Sequence, residues 1–139
     1  MESLPPSSQR SPQPMDDLVR WLGAQLDADT RQASSLHALE CDIHAYLQGD
    51  LESVKAAMAM FHEAPGAVCD CGIPARVLRE TDAKRRILAR VGTALTEADS
   101  PDHLLSRPAR MALLVADPIT RDLAAAYADR PGYREEWRP

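Results

Sequence analysis

Aromatic residues are scarce in this chain: two tryptophans, three tyrosines and one phenylalanine among 139 residues. A core with so few rings must be built from Leu, Ala, Val, Ile and Met, the side chains that helices use most readily. Long apolar runs are missing too. No stretch approaches the roughly 18 apolar residues of a membrane span, and the opening MESLPPSSQRSPQPM has no apolar centre of the kind a signal peptide needs. A soluble, cytoplasmic protein is therefore expected. Cysteine is sparse and odd in number. Cys41, Cys69 and Cys71 make a poor disulfide framework, which fits a reducing compartment better. Catalytic signatures are lacking as well: there is no glycine-rich phosphate loop, no nucleophile elbow and no HExxH. The acidic pairs Asp16-Asp17 and Glu135-Glu136 are adjacent in sequence and so point in different directions on a helix. The chain leans away from the enzymes, and no catalytic residue is assigned.

What is present is helical periodicity interrupted by proline. Residues 1–14 are rich in Pro and Ser and cannot bury enough surface to offset their ordering entropy, so a disordered leader is expected, with Met15 as an alternative start. Asp16-Asp17 then favour a helix N-terminus. Leu18, Trp21, Leu22 and Leu26 recur at helical spacing, which predicts a helix over 16–29. Ser34-Ser35 read as caps for a second pattern, Leu36, Leu39, Ile43 and Leu47, resumed after Gly49-Asp50 by Leu51, Val54, Met58 and Phe61. Pro74 suits the first turn of a helix running to about Leu95. Val77, Leu78, Ile87, Leu88 and Val91 are its expected buried side, with Glu80–Lys84 and Asp82–Arg86 as favourably oriented pairs. Beyond it, Ser100-Pro101, Arg107-Pro108 and Asp117-Pro118 predict short pieces, Ser100 and Asp117 acting as caps. Ile119, Leu123 and Tyr127 fall on one face of the last piece. No segment alternates as a strand would. The fold expected is all-α, a bundle-like or orthogonal array of about 4–6 helices over 15–127, with 128–139 as an aromatic strap.

That strap is where the rings are. Tyr127, Tyr133 and Trp137, half of the six aromatics, lie in the last thirteen positions, YADRPGYREEWRP. Arg130-Pro131-Gly132-Tyr133 has Pro and Gly in the central positions of a type II turn. One helical turn would put Tyr133 and Trp137 on the same side, opposite Arg134, Glu135, Glu136 and Arg138. Burying both rings contributes roughly 3–6 kcal/mol before ordering costs. Tyr127, Tyr133, Trp137 and Trp21 are thus the candidate docking residues, either on the chain's own helices or on a partner.

Two further constellations carry potential chemistry. His37, Cys41 and His44 share one face at i, i+4 and i+7 of a helix, and Cys69 and Cys71 sit in a connection able to fold back. Should they converge, zinc is the natural ion. Against this stands cysteine's ordinary use as a small apolar residue, and no cofactor is otherwise expected. Arg79, Arg86 and Arg90 share a helix face that could follow phosphates. An acidic pI near 5.3, the interleaved Glu80 and Asp82, and the lack of nearby stacking rings disfavour nucleic acid. Charge is also uneven: residues 1–70 hold 4 basic and 11 acidic side chains, residues 71–139 hold 12 and 10. Such asymmetry favours head-to-tail contacts within or between chains.

The stretches DDLVRWLGAQLD (16–27), PARVLRETDAKRRIL (74–88) and YADRPGYREEWRP (127–139) resemble an uncharacterised family of small actinobacterial and actinophage proteins, catalogued as a domain of unknown function. The resemblance implies no activity. Members commonly begin near Met15 and carry His-Asp-Pro where this chain has Gly72-Ile73-Pro74. A Pro-Gly-Pro-Trp stretch after the first helix and a Cys-bearing segment before the tail, common in the family, are absent here. The expected function is a non-catalytic interaction or accessory protein, bound to another protein or to itself. A zinc-stabilised domain and a weak nucleic-acid binder are the alternatives.

Overall fold

A computed structural model describes residues 14–37, 41, 52 and 71–139, and among them the regular structure is helical, with no strand. The first helix, α1 (Pro14–Gln32), opens with a proline whose missing N–H costs nothing there, followed by Asp16 and Asp17 in the first turn and Arg31 in the last. Both charge placements suit the helix dipole. Leu18, Leu22 and Leu26, four apart, are buried along one line. A 3₁₀ turn, Ala33–Ser35, closes the helix. Ser35 Oγ donates to the Gln32 carbonyl at 2.7 Å, and Leu36 is extended. Ser34-Ser35 thus lie in the turn that closes α1, and the helix they were expected to cap falls outside the described residues. The apolar pattern from Leu39 to Phe61 lies outside the described residues.

Gly72, at φ +84, turns the chain into α2 (Ile73–Ala98). Pro74 is fully buried in its first turn. The helix outlasts the Leu95 expected from sequence by one turn, and it buries Thr81, Leu88, Val91 and Ala98. Thr81 satisfies its hydroxyl against its own helix, at 3.0 Å from both the Val77 and Leu78 carbonyls.

The largest departure from the sequence reading is α3 (His103–Ala125), a single helix that runs through both Pro108 and Pro118. Asp102 is its cap, accepting from the Leu104 N–H at 2.9 Å, while Ser100 Oγ accepts from the Asp102 N–H at 3.1 Å. Asp117 is therefore not a cap; it sits mid-helix, paired with Arg121 at 2.7 Å. Each proline removes one helical donor. The carbonyls deprived of it belong to Leu104 and Leu114, the two most exposed large apolar residues.

The described chain divides into two compact units, Met1–Leu22 with Val91–Pro139, and Gly23–Arg90. The first holds α3 and the C-terminal segment, in which a second 3₁₀ turn, Glu135–Trp137, lies against α3. The second holds the latter part of α1 and most of α2. There Arg85 reaches Asp27 at 2.8 Å and the Thr30 hydroxyl at 3.0 Å.

Candidate functional site

In the first unit the amphipathic logic of α3 is inverted. Its buried residues are small: Ser106, Ala109, Thr120 and Ala124. Most of its large apolar residues point to solvent, with Leu104 85% exposed, Leu114 75%, Met111 64%, Val115 63% and Ile119 44%, while Leu113 and Leu123 are half-buried. A surface helix normally places bulk inward and polarity outward. Residues 104, 108, 111, 115, 118 and 122 follow at intervals of three and four, with 107, 111, 114 and 118 as a row beside them, so one continuous strip runs the length of the helix. Exposed Arg107 and Asp122 stand in that strip toward its two ends. A cleft of about 310 Å³ lined by Met15, Leu95, Leu113, Leu114 and Asp117 adjoins it at Leu114. Contiguous apolar area of a few hundred Å² is the scale at which exposed patches mark interaction surfaces. Sequence reading missed this strip because Pro108 and Pro118 look like breaks. Counting the three- and four-residue intervals straight through them would have found it.

The aromatic candidates also lie in the first unit, and the structure brings three of them together. Trp21 stands 5.6 Å from Tyr133 and 5.4 Å from Trp137, with Tyr133 and Trp137 6.0 Å apart, ring centre to ring centre. Trp137 is 2% exposed. Trp21 Nε1 donates to the Pro131 carbonyl at 3.1 Å. The intervening turn has Gly132 at φ +85, and the Tyr133 N–H donates to the Arg130 carbonyl at 3.3 Å. A Cβ at position 132 would lie 2.9 Å from Trp21 Nε1, so glycine is required there both for its φ and for space. Arg134 spans the group, 3.1 Å from Asp17 and over the Trp137 ring at 5.0 Å. Arg121, held by Asp117, donates to the Glu136 carbonyl. Tyr127 is also buried, with the Arg130 guanidinium 4.6 Å over its ring.

In the second unit, His37, Cys41 and Cys71 converge. Both sulfurs stand 3.7 Å from His37 Nδ1, and the three donor atoms lie within 4.8 Å of one another. Neither cysteine is in a disulfide, and both are half-buried. His44 and Cys69 lie outside the described residues. Of the basic candidates, Arg79, Arg86 and Arg90 are all exposed on α2, and Arg86 is held by Asp82 at 3.0 Å. Arg79 and Asp82 line a cleft of about 470 Å³ with Thr30, Leu78, Thr81 and Arg85. A carboxylate in the same wall opposes phosphate there.

Among the described residues no helix is long and apolar enough to cross a membrane. A family model, that of a family of unknown function (DUF6221), matches residues 15–139. No curated protein and no solved structure matches the chain.

Proposed function

The chain belongs to this family of unknown function, and from its surfaces we propose that it is a non-catalytic interaction protein that pairs with a second copy of itself through the outward strip of α3. The single observation that carries the reading is the inversion of that helix, most of whose large apolar side chains are left in water while small ones are buried.

Charge complementarity selects a second copy as the occupant. Two α3 helices laid antiparallel about a twofold axis between Leu114 and Val115 place Leu114 of each against Val115 of the other. In that register Met111 meets Pro118, and Arg107 meets Asp122, at both ends of the contact. An isologous interface of this kind is what twofold symmetry generates from one patch. The basic and acidic residues of the strip then fall opposite each other, while the apolar ones meet in the middle. The C-terminal segment has a different task in this reading. Its rings serve the core of the first unit, with Trp21 as their seat, and are not offered to a partner.

Sedimentation of the full chain across a concentration series tests the reading. A dimer is expected, converted to monomer by Leu114→Glu, with the monomer's own stability changed by no more than about 0.5 kcal/mol because the residue is exposed. Arg107→Asp alone should weaken association, and Arg107→Asp with Asp122→Arg should restore it. A chain that stays monomeric at every concentration would overturn the proposal, as would a dimer indifferent to these changes.

A further inference from the structure

The geometry points to a metal site in the second unit, in which His37 Nδ1, Cys41 Sγ and Cys71 Sγ hold a zinc-type divalent cation. In tetrahedral zinc, metal–sulfur bonds of about 2.3 Å and metal–nitrogen bonds of about 2.1 Å set each sulfur roughly 3.6 Å from the nitrogen. The structure places both sulfurs 3.7 Å from the same ring nitrogen. Two of the three donor separations therefore match the edge of a zinc tetrahedron, and all three donors lie within 4.8 Å of one another.

Thiol chemistry alone accounts poorly for this arrangement. A neutral imidazole nitrogen offers one in-plane lone pair, and a thiol is a weak donor. Only one of two sulfurs at equal distance from Nδ1 can use that lone pair. A cation engages all three atoms at once, drawing the lone pair of the imidazole and one from each thiolate, with the two thiol protons released to solvent. Two soft sulfurs and one borderline nitrogen favour zinc over magnesium or calcium, which prefer oxygen. The pieces come from three places: His37 follows the 3₁₀ turn that closes α1, Cys41 stands four residues on, and Cys71 directly precedes the Gly72 turn into α2. An ion here would fasten the chain after α1 to the start of α2. All three residues belong to one unit, and the inference stands whether or not α3 pairs with a second copy.

The test uses the full chain, purified with a reductant and without added metal, then titrated with Co²⁺ as the probe. One equivalent should bind, with a thiolate-to-cobalt charge-transfer band and the intense visible bands of a tetrahedral ion, and zinc should displace it. Cys41→Ser and Cys71→Ser should each weaken the band and lower affinity at least about 10-fold, and His37→Ala should weaken binding with the thiolate band partly kept. Far-ultraviolet circular dichroism shows whether each variant is folded. Should a variant fail to fold, chelation of the metal-loaded parent chain gives the same reading, with amide exchange near residues 37, 41 and 71 expected to rise. Fewer than about 0.2 equivalents bound with no charge-transfer band would overturn the site, and so would a band that survives both serine substitutions.

Discussion

The two units of this chain solve the same problem with different materials. The first gathers Trp21, Tyr133 and Trp137 into one aromatic group and buries Trp137 almost completely. The second has no aromatic residue among its described positions. It buries Leu26, Ala33, Pro74, Thr81 and Leu88, and adds an Arg85–Asp27 ion pair that is largely in water. An exposed pair of that sort contributes little, about 0–1 kcal/mol. The difference teaches where each unit is vulnerable: the first depends on a few large side chains, the second on many small ones and on whatever ties His37, Cys41 and Cys71 together.

Both tryptophans of the chain belong to the first unit, so tryptophan fluorescence follows that unit alone, and the contrast can be attacked directly. The strongest blow is Trp137→Ala. Removal of a buried ring should cost about 3–5 kcal/mol, seen as a large fall in the midpoint of a fluorescence-monitored urea titration. Amide exchange in the second unit should change far less, and an equal loss in both would erase the distinction. Next comes Gly132→Ala, which puts a methyl group 2.9 Å from the Trp21 indole nitrogen and a side chain on a left-handed residue. A loss of about 1–3 kcal/mol is expected, together with a shifted Trp21 emission. The smallest effect belongs to Arg134→Ala. Its partners Asp17 and Glu136 are partly in water, so the loss should stay near or below about 1 kcal/mol and shrink further in salt.

How much of this could be read from the residues alone depends on how local the determinant is. The leucine spacing of α1 and the Pro74 start of α2 were legible because each depends on positions three or four apart. α1 runs past the expected residue 29 to Gln32, and Ser35 turns its hydroxyl to the Gln32 carbonyl behind it, a choice that serine in either role leaves open to the sequence. α3 departs further from the local pattern. Proline at 108 and 118 signals a break locally, yet the helix continues through both, and whether a proline ends a helix or is absorbed within one is a tertiary property that no local pattern contains. For the same reason the outward strip was invisible: Met111, Leu114 and Val115 make a short apolar segment whose facing the sequence does not state. The His37–Cys41 approach was expected from helical spacing, yet neither residue is helical, and the arrival of Cys71 at 3.7 Å from the same nitrogen likewise depends on the path of the chain.

The prolines of α3 leave something behind for whatever settles on that helix. Neither Pro108 nor Pro118 owns an amide hydrogen, so the oxygens of Leu104 and Leu114 each keep a lone pair to spare on an otherwise oily strip. A visitor that dries the strip completely would strand both oxygens. It must therefore bring hydrogens of its own to those two points, or leave a solvent molecule sealed in at each.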